Sequence, residues 1–314
     1  MTLKFVHEDK EFDDLIRIVA RDLRFNVGVV EKDYWVTHAL WALSKTRMEL
    51  WFKGGTSLSK GWGIINRFSE DVDIQIEPPA GMDVKTGKNQ VKPAHIGSRV
   101  RFFQWITDTL SIPGISVLRD HDFDDADKRN AGIRLNYQSL FPSMTGVKPY
   151  VLLEVGFDVT TPNEPRDISS WVYQHAASVD SDFVDNRALA IPCYCPEYTL
   201  IEKLQAISRK FRQQQQNTTM PVNFLRHYHD VYELLGQERV IKFIGTPEYQ
   251  AHKASRFRSQ DEKDLTKNEA FILSDPDTRR LYAEAYQRGA NLYYSGQPSF
   301  EDILARIGEF ASRM

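Results

Sequence analysis

Two acidic residues alternate along a predicted strand soon after a glycine turn. The turn is Gly54-Gly55, directly after the apolar run Leu50 to Phe52, and the acidic residues are Asp71 and Asp73. Because side chains two positions apart leave the same face of a strand, the two carboxylates would lie roughly 7 Å apart. Carboxylates at that spacing suit paired divalent cations. The pattern therefore predicts a metal site beside a turn that binds phosphate.

The residues around the glycine turn supply the kind of donors that bind phosphate. Backbone N–H groups at the start of a helix lack partners within the helix, and the helix dipole favours negative charge there. Hydroxyl groups and flanking cations add further donors, although Lys53 and Lys60 are also compatible with exposed flanking positions. The candidate phosphate-binding residues are Lys53, Gly54, Gly55, Thr56, Ser57, Lys60 and Arg67.

Each half of this pattern also has a simpler interpretation. Glycine pairs are common in turns, and an isolated Asp-x-Asp often belongs to an exposed edge or to a calcium loop. A P-loop does not fit, because its glycines are separated by four residues and followed by Lys-Ser/Thr. Carboxylates are depleted from strands, so two of them in an apolar strand just after such a turn favour the metal and phosphate site.

A third carboxylate interrupts another apolar run. Glu154 lies within the segment Val151 to Phe157, which otherwise reads as a buried strand. Burying an unpaired charge costs several kcal/mol, so Glu154 requires a cation or a hydrogen-bond partner. A structural salt bridge with Arg134 would satisfy this requirement as well as a functional role would.

The periodicity of the apolar residues predicts a mixed α/β domain followed by helices. Helical spacing over Glu11 to Val19 and Val29 to Leu43 precedes the glycine turn. The predicted strands of a mixed sheet are Leu50 to Phe52, Asp71 to Ile76, Ile115 to Arg119, Ala131 to Tyr137 and Tyr150 to Phe157. Beyond residue 195 the spacing becomes helical, which divides the chain into an α/β domain, 1–195, and a helical domain, 196–314.

The segment 78–93 contains Pro, Gly, Lys and Asn and little that a core would bury. It is predicted to be a loop, either a lid or an inert insertion. No run approaches 18 apolar residues, which argues against a membrane span, and Met1 to Lys10 has no apolar secretory segment. We therefore expect no membrane partner and a cytoplasmic location.

The net charge of −3 does not by itself indicate nucleic-acid binding. Its distribution is uneven, since Lys203 to Lys267 contains 12 Lys and Arg against 7 Asp and Glu. A basic helical face there could attract an RNA backbone, and a solvated charged surface explains the same count.

Several of these segments resemble the AbiEii/AbiGii-type nucleotidyltransferase toxins of bacterial abortive-infection and toxin–antitoxin systems, within the polymerase-beta-like nucleotidyltransferase superfamily. Glu31-Lys32-Asp33-Tyr34-Trp35 is similar to the N-terminal signature of that family. Lys53 to Lys60 with Arg67 to Asp73 is similar to its first catalytic motif. Tyr198 to Lys210 and Arg226 to Leu234 resemble its C-terminal motifs.

The resemblance implies roles for individual residues. Asp71 and Asp73 would bind Mg²⁺, or Mn²⁺ as an alternative, with Glu154 as the third carboxylate that activates an acceptor hydroxyl. Lys203 would contact the nucleotide phosphates, and Asp230 would be functional. From the residues alone, Lys203 is equally an exposed lysine, and Asp230 an intrahelical partner of Arg226.

The expected function is transfer of a nucleotide from an NTP to an acceptor. The resemblance implies that the acceptor is the 3′ end of tRNA, that the protein is a toxin acting in phage defence, and that a cognate antitoxin protein neutralises it. The alternatives are a nucleotidyltransferase for a small molecule or a protein, a phosphotransferase, and an inactive nucleotide-binding regulator.

Overall fold

The computed structural model describes residues 3–46, 48–142, 144, 146–179, 182–217, 219–221, 223–289, 293–294 and 296–314. The chain forms two compact units. The sheet unit comprises Met1–Gly61 and Ser69–Tyr194, and the helical unit comprises Trp62–Phe68 and Cys195–Met314. The short segment Trp62–Phe68 therefore belongs with the C-terminal helices, although it lies between the glycine turn and the aspartates.

The sheet unit is built on seven strands. They are β1 (Glu49–Lys53), β2 (Val72–Glu77), β3 (Ile115–Asp120), β4 (Asn130–Tyr137), β5 (Val151–Gly156), β6 (Asn163–Ile168) and β7 (Ala188–Tyr194). Their order is β3-β4-β5-β2-β1-β7-β6. The pairs β1–β7 and β2–β5 are parallel and the other neighbours are antiparallel. The prediction of a mixed α/β sheet is confirmed.

Helices α1 (Phe12–Leu23), α2 (Val27–Ser44), α4 (Pro93–Thr109) and α5 (Trp171–Val179) accompany this sheet. Between β1 and β2, the short helix α3 (Gly54–Thr56) continues into a π-helical turn, Ser57–Gly61. Helix α4 begins with Pro93, which suits the first helical position because proline lacks the N–H that the first turn does not use. The segment 78–92 connects β2 to α4 without a regular element.

Within the sheet unit, the strands β6 and β7 and the helix α5 were not predicted. The strand β6 reads Asn-Glu-Pro-Arg-Asp-Ile and occupies one edge of the sheet, where proline and charged residues are tolerated. The strand β7 contains Pro192, which usually argues against a strand assignment. Neither shows the alternation of apolar and polar residues by which strands are predicted.

Helix α2 lies in the core of the sheet unit and packs against β7, α1 and α5. Its N-cap residue is Asn26, whose side chain accepts a hydrogen bond from Gly28 N. Most of its residues are buried, including the consecutive charged residues Glu31, Lys32 and Asp33. Buried charges are costly unless paired, so the partners of these three residues are a structural requirement.

Each of the three charged residues binds a different segment of the sheet unit. Glu31 accepts hydrogen bonds from Ser139 Oγ and Leu140 N, at 2.7 Å each. Lys32 Nζ lies 2.5 Å from Glu70 Oε2 and also donates to the carbonyl oxygen of Lys148. The carboxylate of Asp33 pairs with Lys60 and accepts from Trp171 N. One helix thereby fixes the loop after β4, the approach to β2 and the π-helical turn.

The helical unit consists of helices packed around α6. Its helices are α6 (Pro196–Asn217), α7 (Arg226–Leu234), α8 (Glu238–Phe243), α9 (Pro247–Arg256), α10 (Glu269–Ile272), α11 (Pro276–Gln287) and α12 (Phe300–Ala311). Tyr228, Tyr282 and Phe300 meet edge to face in its core. Across the described ranges, no helix has both the length and the apolar character that a bilayer crossing demands.

Removing the ammonium group of Lys32 should strongly destabilise the sheet unit. Lys32→Met leaves the Glu70 carboxylate, which is 4% exposed, without its cation. Breaking a buried pair in this way costs about 3–5 kcal/mol in the free energy of unfolding. Chemical denaturation measures the loss, and Lys10→Met is the control because its pair with Glu11 is exposed. The double variant Lys32→Met/Glu70→Gln should recover part of the loss, and an additive double variant would contradict this pairing.

Candidate active site

Asp73 lies on a central strand with a charged residue opposite it on each side. In the register of the sheet, Asp73 of β2 is opposite Glu154 of β5 and opposite Lys53, the last residue of β1. Directly opposed residues project from the same face of a sheet, so these three side chains share one face. Sheet topology thus brings Asp73 next to Glu154, which is 81 positions away in the chain.

The glycine turn is in direct contact with Asp73. A Cβ atom built on Gly54 would lie 2.0 Å from Asp73 Oδ2, and Gly54 has a φ of +79°. Both the backbone conformation and the space therefore require glycine at this position. The following residue, Gly55, is buried in α3. Lys53, the residue before α3, makes no side-chain capping hydrogen bond to the first amides of this helix.

Other predicted phosphate-binding residues make contacts within the sheet unit. Thr56 Oγ1 donates to the carbonyl oxygen of Asp71 and hydrogen bonds with Ser69 Oγ at 2.9 Å. Ser57 is buried beside the thiol of Cys193. Lys60 pairs with Asp33 of α2. These contacts join the glycine turn to the start of β2 and to helix α2.

Glu154 and Asp73 form a pair of adjacent carboxylates. Repulsion from Asp73, together with burial, raises the pKa of Glu154 well above its usual value. The structural alternative of a salt bridge with Arg134 is not observed, since Arg134 Nε pairs with Asp120 Oδ2 at 2.5 Å. A divalent cation bound at Asp73 and Glu154 would compensate the excess negative charge there.

Asp71 has a different environment from Asp73. It precedes β2 instead of lying within it, which corrects the predicted strand boundary. Both of its carboxylate oxygens lie 2.8 Å from Lys148 Nζ. Across the described part of the chain, no group of three or more His, Cys, Asp or Glu side chains is arranged to hold a metal ion. Within the predicted set of Asp71, Asp73 and Glu154, Asp71 is paired with Lys148, whereas Asp73 and Glu154 are directly opposite each other.

The helical unit contains a second charged cluster, formed by three of the residues singled out in the sequence. Arg67 donates from Nε and Nη2 to the two oxygens of Asp230, at 2.7 and 2.8 Å. Lys203 Nζ lies 2.8 Å from Asp230 Oδ2. The side chain of Asp230 is fully buried, whereas that of Lys203 is 10% exposed. The cluster joins Trp62–Phe68 to helices α6 and α7.

The electrostatics of this cluster follow from the two cations. Burial alone would raise the pKa of Asp230, but Arg67 and Lys203 outweigh it and hold that pKa well below its usual value. Asp230 is therefore a stable anion that fixes both cations. The intrahelical pair with Arg226 is not needed to account for a charge at this position.

No role was predicted from the sequence for Lys148, Lys32 or Glu70, which surround Asp71. A signal for Lys32 was present, because Glu31-Lys32-Asp33 interrupts an otherwise apolar helix and buried charges require partners. Lys148 lies in the connection between β4 and β5, where neither periodicity nor spacing indicates its position.

Comparisons with known proteins identify the class. The family model described as "Nucleotidyl transferase AbiEii toxin, Type IV TA system" matches residues 38–306. The chain therefore belongs to the AbiEii nucleotidyl transferase toxin family of type IV toxin–antitoxin systems, which confirms the resemblance seen in the sequence. Membership implies a nucleotide substrate and a cognate antitoxin.

Among solved structures, the chain is similar to an antigenic nucleotidyltransferase-like protein from Paracoccidioides brasiliensis. The sequence identity is 14% and the TM-score is 0.34, over 80% of this chain and 92% of that one. No curated protein matches the chain at a significant level.

Substitution of Gly54 should displace the Asp73 side chain. Gly54→Ala adds a Cβ within 2.0 Å of Asp73 Oδ2 and forces alanine to a φ of +79°. Gly81→Ala is the matched control, since Gly81 has a φ of +91° and open space around the added atom. We expect nucleotidyl transfer to fall at least tenfold for Gly54→Ala only, beyond any loss of stability shared by both variants. Equal activities of the two variants would argue against the contact.

Asp230 should make stability depend on pH in acid. Asp230→Asn leaves Arg67 and Lys203 without their carboxylate and should cost about 3–5 kcal/mol at neutral pH. Because the folded-state pKa of Asp230 is lowered, this contribution is present above the unfolded-state value near 4 and disappears as pH falls through the folded value. Denaturation curves between pH 7 and 2 should therefore converge for the wild type and Asp230→Asn. Glu238→Gln, in an exposed pair with Lys242, should track the wild type.

Proposed function

We propose that this chain is a metal-dependent nucleotidyltransferase that transfers a nucleotide from an NTP to the 3′ end of tRNA. As a toxin, it would stop growth because extended tRNA cannot be aminoacylated, and the cognate antitoxin would prevent this. The observation that supports the enzymatic part most directly is the adjacent pair of Asp73 and Glu154 beside the Gly54 turn.

The acidic residues fit Mg²⁺, with Mn²⁺ as an alternative. Oxygen ligands suit these cations, and Asp73 and Glu154 present carboxylates without a neutralising ion pair among the described residues. Asp71 is the neighbouring acidic residue, and its carboxylate is paired with Lys148. A bound cation would stabilise negative charge on the attacking and leaving oxygens.

The glycine turn is the proposed phosphate site. The side chain of Lys53 does not cap the first amides of α3, and Gly54 permits close approach of the backbone to a ligand. Lys53 ends β1 opposite Asp73, on the face that carries the carboxylates. We assign the β- and γ-phosphates to the backbone of Gly54 to Ser57 and to Lys53.

Glu154 is the proposed proton acceptor for the attacking hydroxyl group. Repulsion from Asp73 and burial raise its pKa, and a carboxylate with a raised pKa is a stronger base. We assign Lys203 to phosphate binding because it lies in a segment, Tyr198 to Lys210, that resembles a motif of the family. Asp230 then acts through Lys203, whose ammonium group it positions.

Transfer from labelled nucleotides tests this function. The purified protein with Mg²⁺, total tRNA and each α-³²P-labelled NTP should place label in tRNA, as seen on a denaturing gel. Asp73→Asn should reduce the label at least about 100-fold, because loss of a direct ligand exceeds the effect of losing an outer partner. Asp83→Asn is the control, because this carboxylate is 79% exposed in its pair with Lys85.

Other outcomes separate the alternatives. Label transferred only from γ-³²P nucleotides would identify a phosphotransferase, and label in a small molecule or in protein would identify another acceptor. Nucleotide binding without transfer would identify a regulator. Full activity of Asp73→Asn would contradict the assignment of the metal-binding residues.

A further inference from the structure

The ammonium group of Lys148 lies beside the acidic residues of the proposed active site. Its ammonium group lies 2.8 Å from both oxygens of Asp71, and it also lies over the ring of Phe123, 5.3 Å from the centroid. Its side chain is 23% exposed. The contact with two oxygens of one carboxylate is more specific than an incidental surface pair.

The backbone of Lys148 is held on both sides of its Cα atom. Its amide donates to Glu70 Oε2 at 2.9 Å, and its carbonyl oxygen accepts from Lys32 Nζ. Glu70 and Lys32 are themselves a buried ion pair. A residue held through both backbone groups by buried charges has little freedom to withdraw, so its ammonium group stays close to Asp71.

The carboxylates of the cluster are not neutralised equally. Glu70 and Asp71 pair with the ammonium groups of Lys32 and Lys148, whereas Asp73 and Glu154 face each other. Lys53 is opposite Asp73 on the same face of the sheet and is assigned to phosphate, so the pair of Asp73 and Glu154 is the place for a divalent cation. A second divalent cation at Asp71 would meet the ammonium group of Lys148 at close range, where like charges repel strongly.

We propose that Lys148 is the resident cation of Asp71 and that the site takes a single divalent cation, at Asp73 and Glu154. This inference rests on the proposed metal-dependent function. Lys148 is then a positioning residue, which keeps Asp71 neutralised and directs the metal ion to the other two carboxylates. Lys148, from the connection between β4 and β5, therefore determines which of the three carboxylates bind the metal ion.

Titration with Mn²⁺ in the absence of nucleotide tests the proposal. Free Mn²⁺ is measured by electron paramagnetic resonance in titrations of the wild type, Lys148→Met, Lys148→Arg and Lys10→Met. The wild type should bind one Mn²⁺ per chain. Lys148→Met frees Asp71 and should bind Mn²⁺ at least tenfold more tightly or bind a second ion. Lys148→Arg retains the charge and should behave as the wild type, as should Lys10→Met, which removes an exposed lysine.

Several results would overturn the inference. These are two Mn²⁺ ions bound to the wild type, an unchanged titration for Lys148→Met, and an Arg variant that resembles the Met variant. Thermal unfolding shows whether each variant is folded, and Lys148→Gln replaces the Met variant if that one is not. The stoichiometry of the wild type tests the proposal without any variant.

The titration also separates this inference from the proposed function. One Mn²⁺ in the wild type with tighter binding to Lys148→Met, but no labelled product, would uphold the role of Lys148 and reject the nucleotidyl transfer. Labelled tRNA together with identical titrations for the wild type and Lys148→Met would uphold the transfer and reject the role of Lys148.

Discussion

Lys32 lies inside a buried helix, and its ammonium group bonds to both the Glu70 carboxylate and the Lys148 carbonyl oxygen. A buried ammonium group is tolerated only with such partners, so the helix and the two segments that supply them must keep one arrangement. Glu70 precedes Asp71, and Lys148 binds Asp71. The position of Asp71 therefore depends on an ion pair formed by the residue before it.

Helix α2 also holds the glycine turn on the other side of the site. Asp33 binds Lys60 of the π-helical turn, and Thr56, the residue before that turn, hydrogen bonds to the backbone of Asp71. The glycine turn and the acidic residues are thus held by a connected set of polar contacts. Such networks rigidify a structure when every member is satisfied, and a rigid frame is what closely spaced carboxylates require.

The buried carboxylates of the two units have different electrostatic environments. In the sheet unit, Asp73 and Glu154 face each other, and the pKa of Glu154 rises. In the helical unit, Asp230 is bound by Arg67 and Lys203, and its pKa falls. The first arrangement leaves negative charge available for a cation, whereas the second fixes two cations around a permanent anion. Both follow from the balance between burial and neighbouring charge.

Local sequence determined much of this protein. The apolar periodicity of α1 and α2, the alternation in β2, the apolar run of β5 and the glycine turn predicted these elements, since each depends on neighbours in the chain. The motifs also predicted the family, and glycine at position 54 is required by a conformation that few residues adopt. The polar edge strand β6 and the proline-containing strand β7 were not predicted. Their sequences have only a weak local preference for strand structure, and pairing within the sheet overrides it.

Tertiary structure alone decided the partners of the charged residues. The register of β2 with β5 sets Asp73 opposite Glu154, and the loop before β5 delivers Lys148 to Asp71. Arg67 was expected near phosphate but binds Asp230, which is 163 positions away. Spacing rules describe side chains on one helix or strand, whereas charges find partners through space once burial removes water. The sequence therefore indicated which residues carry charge, and only the fold determined which of those charges remain uncompensated.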